Sequence, residues 1–317
     1  MKITLFLTTV CMLLCCSGTN PSKRSKEDVA PQRIPLADPY ILLHEGIYYA
    51  YGTFAENGIA AWTSTDLKSW KRAKGLAPED LVMHRRDVWG NYWFWAPEVY
   101  HRNGKFYLYY SAEEHICAAV SDSPLGPFKQ EVKQPMIADE KCIDNTLFVD
   151  DDGRAYQFYS SENNETMYIS LLTDDYLKPS GRFTRNFIKE SREAPAVFKH
   201  KGKYYMLSSG CTGWDPNVAE IAVADSIMGT WKTIGNPCTG PDADKTFYAQ
   251  STYVQPVIGK KNAYIAMFDR WKKKDLEDSR YVWLPVLIKD GAITIPWHEK
   301  WDLTVFDKQK KSDKQKK

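Results

Sequence analysis

Apolar and polar positions alternate in short runs along this chain, and the runs come in pairs joined by a glycine-containing turn. The clearest pair is EAPAVFKHKGKYYMLSSG, residues 193–210, where small apolar residues lead to a Lys-Gly-Lys turn and an aromatic run follows. This pattern is typical of a β-hairpin. Similar pairs occupy residues 37–52, 96–111, 144–160 and, with a weaker match, 250–268. The sequence therefore predicts a repeated hairpin architecture.

The turn glycines of these hairpins are Gly46, Gly104, Gly153, Gly202 and Gly259, which are 58, 49, 49 and 57 residues apart. Repeats of about 40–50 residues are typical of propeller blades. The first four hairpins are each followed by a second one, which ends in AAWTSTDLKSW (60–70), AAVSDSPLGPF (118–128), ISLLTDDYLKP (169–179) or IAVADSIMGTW (221–231). Two hairpins make one sheet, and radial stacking of such sheets leaves no long edge exposed. We predict an all-β fold, a five-bladed β-propeller with four-stranded antiparallel blades.

The two ends of the chain differ from this pattern. Residues 1–16 hold one basic residue and an apolar run that is too short to cross a bilayer, and they end in Cys-Cys. They predict a lipoprotein-type signal with Cys16 or Cys15 as the lipidated residue, and an ordinary cleaved export peptide is the alternative. We divide the rest into a flexible tether (17–33), a propeller domain (34–306) and a basic disordered tail (307–317). The expected location is periplasmic or outer-membrane associated, with membrane contact only through the lipid anchor.

Composition narrows the classes of partner and cofactor. The net charge is only +2, so no surface for nucleic acid is expected. The six His residues show no metal-binding spacing, and neither do Cys117, Cys142, Cys211 and Cys238, so we predict no catalytic transition metal. In an exported protein these thiols either form disulfides or stay free. The aromatic fraction of 14% exceeds core needs and suits sugar binding. A monomer is expected.

The candidate catalytic residues lie where the first strand of each blade begins, because these strands run beside the central axis of a propeller. Counting eight or nine residues back from the turn glycines gives Asp38, Ala96, Asp144, Glu193 and Gln250. Repulsion and desolvation disfavour three carboxylates around one axis. Glycoside hydrolysis, however, needs a protonated carboxyl for the leaving oxygen and an ionised one to activate water. Taken singly, each acid has a structural alternative as a turn or loop residue.

The chain resembles glycoside hydrolase family 43 in the motifs LADPY (36–40), WAPEV (95–99), IDNTLFVDDDG (143–153) and REAPAVF (192–198). Members of that family are five-bladed propellers that act on arabinose-, xylose- and galactose-containing plant polysaccharides and invert the anomeric centre. The resemblance covers about residues 34–303. It implies that Asp38 is the base, that Asp144 tunes pKa and orientation, and that Glu193 is the general acid. A charged Asp144 would also raise the pKa of Glu193.

Substrate contacts are expected from a second set of residues: Trp93, Glu98, Trp214, Gln250, Arg270 and Trp271. Each Trp has blade core as its alternative, Glu98 has a structural role, and Arg270 has a salt bridge. Where many relatives have a His that helps bind calcium or water, this chain has Gln250. No cofactor is predicted to be required, and calcium in the axial channel is left open.

The motifs CTGWDPN (211–217), FDRW (268–271) and SRYVWLP (279–285) resemble the exo-β-1,3-galactanase branch, whose members often lack the first-blade Asp that this chain retains. We expect an exo-acting inverting hydrolase that removes terminal arabinose- or galactose-type sugars, furanosides among them, or xylose from oligo- or polysaccharides. A non-catalytic glycan-binding propeller lipoprotein is the alternative.

Overall fold

The structure is a computed structural model that describes residues 34–55, 57–138, 141–213 and 215–307. The predicted signal, lipidation site and tether lie outside the described residues, as do Trp214 and tail residues 308–317. Within the described ranges, no helix combines the length and apolar character that a membrane span requires.

Blades 1, 2 and 3 follow one another along the chain, and each is an antiparallel sheet in sequence order. Blade 1 contains β1 (Ala37–His44), β2 (Ile47–Ala55), β3 (Gly58–Ser64) and β4 (Lys71–Arg72), and β5 (Met83–His84) also pairs with β3. Blade 2 contains β6 (Trp95–Arg102), β7 (Lys105–Ala112) and β8 (His115–Ser121). Blade 3 contains β9 (Ile143–Val149), β10 (Ala155–Ser161), β11 (Thr166–Leu172) and β12 (Pro179–Asn186).

Blades 4 and 5 complete the ring. Blade 4 contains β13 (Arg192–His200), β14 (Lys203–Gly210), β15 (Glu220–Ala224) and β16 (Lys232–Gly235). The short β17 (Cys238–Thr239) pairs in parallel with the last strand of blade 5. Blade 5 itself contains β18 (Gln250–Pro256), β19 (Tyr264–Arg270), β20 (Arg280–Lys289) and β21 (Ala292–Pro296). Single 3₁₀ turns occupy Pro78–Asp80, Arg85–Asp87, Ala243–Tyr248 and Leu276–Asp278.

The predicted five-bladed propeller is confirmed, with small differences in strand number. Blades 3 and 4 have the expected four strands, whereas blades 1 and 5 each carry an extra short strand. Blade 2 has three regular strands, and a bridge between Val120 and Lys129 marks the place of a fourth. The outermost strand of a blade packs on one side only, which explains why its regularity varies most.

The first strands of the blades form the inner wall of the propeller. They contact one another in a closed cycle, β1 with β6, β6 with β9, β9 with β13, β13 with β18, and β18 with β1. Blade 1 and the residues just before it pack against blade 5 and so close the ring. Ile34, Leu36 and Ile41 share a buried cluster with Met267 and Tyr281 of blade 5. Equivalent positions of the five first strands therefore face one axis.

Each first strand begins with a β-bulge at the same register. In blade 1, Ala37 pairs with Thr53 and Tyr40 with Tyr51, so the bulge contains Asp38 and Pro39. The corresponding bulges of blades 2, 3 and 4 contain residues 96–97, 144–145 and 194–195, and in blade 5 the shift is at Thr252. In four blades the first bulge residue has a left-handed backbone, with φ values of 51° for Asp38, 45° for Ala96, 54° for Asp144 and 51° for Ala194. A bulge changes the direction of a side chain from that of the regular alternation in a strand. The blades repeat this change at equivalent positions around the axis.

Candidate active site

The five bulges surround one axial well. Its volume, including its open mouth, is about 380 Å³, within the roughly 300–1,000 Å³ of small-ligand sites. Residues of all five blades line it: Asp38, Pro39, Tyr40, Ala96, Pro97, Glu98, Asp144, Asn145, Ala194, Pro195, Gln250, Ser251 and Thr252. The structure thus brings Asp38, Asp144, Glu98 and Gln250 to one well, whereas Glu193, the third acid predicted there, does not line it and contacts its wall through Gln250.

Asp38 is held by hydrogen bonds on both its side chain and its backbone. One carboxylate oxygen accepts a hydrogen bond from Thr53 Oγ1 at 2.6 Å, and the Asp38 N–H donates to Asp269 Oδ2 at 2.5 Å. Burial raises the pKa of Asp38, while the bonds from Thr53 and the Ala96 N–H oppose that rise. These two donors favour the ionised form, which is the form that a base needs.

Asp144 occupies the same bulge position in blade 3. Its Oδ2 accepts a hydrogen bond from the Ala194 N–H at 3.1 Å, across the interface between blades 3 and 4. Burial raises the pKa of Asp144 well above its usual range, and the charges of Glu193 and Asp38 raise it further. Asp144 and Glu193 therefore do not ionise independently, since a charge on one carboxyl favours a proton on the other.

Glu193 is 5% exposed and lies under the side chain of Gln250. Its Oε1 accepts a hydrogen bond from Gln250 Nε2 at 2.9 Å, and the same amide nitrogen lies 2.9 Å from Ser209 Oγ. Burial is the largest cause of the raised pKa of Glu193, and contacts with Cys211, Gln250 and Arg192 oppose it. The sequence predicted that the charge of Asp144 raises the pKa of Glu193, whereas in the structure burial is the main cause.

The register corrects the sequence alignment of the acids. Glu193 pairs with Ser209 as Ala37 pairs with Thr53, so Glu193 stands one residue before the bulge. The blade 4 equivalent of Asp38 is Ala194, and Gln250, which pairs with Asp269, shares the position of Glu193. The hairpin turns of blades 1 and 4 have the same length, and Asp38 lies eight residues before Gly46 whereas Glu193 lies nine before Gly202; accepting either count missed this offset.

The second strands contribute a ring of polar residues that the sequence analysis did not select. Opposite the start of each first strand stand Thr53, Ser111, Ser160, Ser209 and Asp269. The first four each follow their turn glycine by seven residues, which was a readable signal. Asp269 is fully buried, and burial together with the charge of Asp38 raises its pKa well above the usual range. A protonated Asp269 lets Asp38 carry the local negative charge.

Glu98 lies just beyond the bulge of blade 2 and is 3% exposed. Its carboxyl accepts hydrogen bonds from Thr146 Oγ1 at 2.5 Å, Leu147 N at 2.8 Å and Tyr100 Oη at 2.9 Å. Burial raises its pKa to about 7 despite these donors. Together with Tyr40, which is 4% exposed, Glu98 forms the buried end of the well.

The remaining predicted substrate contacts fall in different places. Trp271 lines a second cavity beside the well and donates from Nε1 to Gln250 Oε1 at 3.2 Å. Trp93 is 47% exposed and stacks on Trp95 with ring centroids 5.1 Å apart. Arg270 lines neither cavity, because its Nε donates to Phe247 O at 2.8 Å. The structure thus gives Arg270 a contact with the backbone of Phe247, and its substrate contact stays a prediction.

The described residues offer no metal centre. Within them, no group of three or more His, Cys, Asp or Glu side chains is placed to hold an ion. Gln250, the residue that left calcium open, donates from Nε2 to Glu193 and Ser209, and its Oε1 accepts from Trp271. An amide oxygen has a second lone pair, so calcium in the axial channel stays a prediction. Within the described residues, Cys117, Cys142, Cys211 and Cys238 form no disulfide.

Comparisons with known proteins agree with this geometry. The family model for glycosyl hydrolases family 43 matches residues 31–256. A solved family 43 β-1,3-galactosidase with galactodeoxynojirimycin is 34% identical, has a TM-score of 0.76, and is matched over 87% of this chain and 99% of that one. An exo-β-1,3-galactanase from Clostridium thermocellum is 26% identical, has a TM-score of 0.71, and is matched over 86% of this chain and 65% of that one.

Among curated proteins, xylosidase/arabinosidase 43A of Humicola insolens is 31% identical over 144 residues. That match covers 40% of this chain and 43% of the fungal enzyme, so it spans less than half of that relative's length. The family match over most of the propeller, with acids at one axial well, leads to one conclusion. The chain belongs to glycosyl hydrolase family 43 and is a glycosidase.

Proposed function

We propose that this protein is an exo-acting, inverting glycosidase that removes one terminal sugar at a time from an oligo- or polysaccharide. One observation carries the proposal: the strand-start bulges bring Asp38 and Asp144 to one well that ends in buried Tyr40 and Glu98, and Glu193 lies next to this wall, bonded to Gln250 and coupled to Asp144. A well closed at its inner end suits a chain terminus better than the middle of a polymer.

In the proposed reaction, Glu193 starts protonated and Asp38 starts ionised. Glu193 donates its proton to the glycosidic oxygen as the bond from that oxygen to the anomeric carbon breaks. Asp38 removes a proton from a water molecule, whose oxygen bonds to the anomeric carbon from the opposite face, so the configuration inverts. The hydrogen bond from Thr53 favours ionised Asp38, and burial favours protonated Glu193. Asp144 holds the Ala194 N–H beside Glu193 and tunes its proton affinity.

The terminal sugar is proposed to be galactose- or arabinose-type, furanosides included, with xylose as the third option. The β-1,3-galactosidase at 34% identity supports a galactose-type sugar, and the curated xylosidase/arabinosidase supports the pentoses. Retention of Asp38 supports ordinary base catalysis by a carboxylate. Export with an N-terminal lipid anchor remains our proposal from the signal-like residues 1–16.

A panel of 4-nitrophenyl glycosides tests the proposal: α-L-arabinofuranoside, β-D-galactofuranoside, β-D-galactopyranoside and β-D-xyloside. Release of nitrophenol from one of them, lost in Asp38→Asn, is the expected result. Binding of the sugars without release would support the glycan-binding alternative and contradict a catalytic role for Asp38. Thermal unfolding of both proteins checks that the substitution leaves the fold intact.

A further inference from the structure

A second cavity lies beside the axial well and shares Gln250 with it. Its volume, including its open side, is about 340 Å³. Ser209 also lines it, and Ser209 is the residue that pairs with Glu193 across the blade 4 hairpin. Gln250 donates to both Glu193 and Ser209, so the Glu193 carboxyl, which itself lines neither cavity, lies within hydrogen-bond distance of the residue that the two cavities share.

One wall of this cavity comes from an unusual backbone turn. Thr246, Phe247 and Tyr248 are consecutive residues with left-handed φ values of 50°, 58° and 58°. Apart from glycine, which has no side chain, and Asn and Asp, residues seldom adopt this conformation, and β-branched or bulky residues do so least readily. Nothing in the residue types explains the turn, so its surroundings must impose it.

Those surroundings fix the first two residues of the turn. Thr246 Oγ1 accepts from the Ala219 N–H and donates to Asn217 O, both at 2.7 Å. Arg270 Nε donates to Phe247 O at 2.8 Å, and the Phe247 ring is 1% exposed. The third residue, Tyr248, is by contrast 45% exposed and lines the cavity. A strained backbone that is held in place by its surroundings is typical of functional sites. Here the strained turn places the side chain of Tyr248 in the cavity.

The cavity has the chemistry of a sugar subsite. Tyr248 and Trp271 are aromatic, and aromatic rings pack on the apolar faces of sugars. The exposed carboxylate of Asp215 can accept hydrogen bonds from hydroxyl groups. Apolar walls with a few polar groups are typical of ligand sites.

We propose that the second cavity binds the leaving-group sugar, the ring on the other side of the cleaved bond, and that Tyr248 is its main packing partner. This rests on the proposed function, in which the terminal sugar fills the axial well. A substrate lying across Gln250 has one ring in each cavity, and its glycosidic oxygen then lies beside Glu193, the group that must protonate it. The subsite makes the enzyme prefer a saccharide leaving group.

The test compares two substrates with the same terminal sugar: a disaccharide, and the glycosyl fluoride, which has no leaving-group ring. Tyr248→Ala is expected to lower kcat/KM for the disaccharide by roughly three- to tenfold, the effect of one aromatic contact. For the fluoride, kcat/KM should stay within about twofold of the wild-type value. Phe183→Ala is the matched control, because Phe183 is an exposed aromatic on the outer strand β12. It should change neither value.

Equal losses of kcat/KM on both substrates would overturn the proposal and would show that the turn containing Tyr248 only supports Gln250. Unchanged kcat/KM values on both substrates would also overturn it. If Tyr248→Ala does not fold, Asp215→Ala, at an exposed loop position, must show the same split between substrates. Failure of the proposed function gives a different result, since wild-type enzyme would then hydrolyse neither substrate.

Discussion

Replacing Thr53 by Val tests how the well keeps its base ionised. Thr53 Oγ1 donates to Asp38 Oδ2 at 2.6 Å, and Val keeps the shape of Thr without the donor. A hydrogen bond to a charged group is worth about 1.5–3 kcal/mol. At about 1.4 kcal/mol per pKa unit, its loss raises the pKa of Asp38 by about 1–2 units. The Ala96 N–H still donates to the carboxyl and keeps the shift from being larger.

The sign of the effect on activity follows from the role of Asp38. A base with a higher pKa is protonated at higher pH, so activity is lost earlier as the pH falls. The acid limb of kcat/KM in Thr53→Val should therefore move up by about 1–2 pH units, while the rate at higher pH stays unchanged. Asp269 and Asp144 also face Asp38, but burial and neighbouring charges, that of Asp38 among them, raise the pKa of both well above the usual range, so both are neutral while Asp38 titrates.

The assay is kcat/KM against pH for wild type, Thr53→Val and the matched control Thr53→Ser. Serine retains the hydroxyl, so the control should follow wild type. Thermal unfolding reports any loss of fold. Coincident acid limbs for wild type and Thr53→Val would refute the assignment of Asp38 as the base held ionised by this bond.

Three further substitutions give separate tests. Glu193→Gln should lower kcat/KM on a saccharide by about 10²–10⁴-fold, the usual worth of a general acid, at an unchanged unfolding temperature; activity near wild type removes the assignment. Asp144→Asn leaves Glu193 as a single carboxyl in place of a coupled pair, so the upper pKa of the pair is lost and the alkaline limb of kcat/KM should move to lower pH; an unmoved limb contradicts the coupling. Tyr281 Oη lies 2.7 Å from the carbonyls of Ile34 and Leu36, so Tyr281→Phe should lower the free energy of unfolding by about 1–3 kcal/mol in denaturant titrations, leaving kcat unchanged.

Much of the fold was predictable because a propeller repeats one unit. Each hairpin shows its turn glycine and its alternating strands, and these patterns are local. Asp38 and Asp144 were found for the same reason, since both hold one position of the repeat. The aromatic second strands of the hairpins pack into the blades, where Tyr51, Tyr109 and Tyr110 are fully buried.

The rest of the site depends on contacts between blades, which have no local signal. The environment of Glu193 comes from blade 5, because the amide of Gln250 donates to its carboxyl. Asp269 looked like a partner for Arg270 in sequence, yet its side chain turns to the Asp38 N–H of another blade. The left-handed turn at residues 246–248 contains no glycine, because surrounding hydrogen bonds impose it. Arg270 could not be assigned before that turn was known.

The most direct test of the account is the anomeric configuration of the sugar first released, followed by proton NMR before mutarotation equilibrates it. If Asp38 activates water on one face while Glu193 protonates the leaving oxygen on the other, the first product has the opposite configuration to the substrate. Inversion in the wild-type enzyme is the predicted result. A first product with retained configuration would show that a carboxylate attacks the sugar directly, and it would contradict the central claim that Asp38 acts as a base on water.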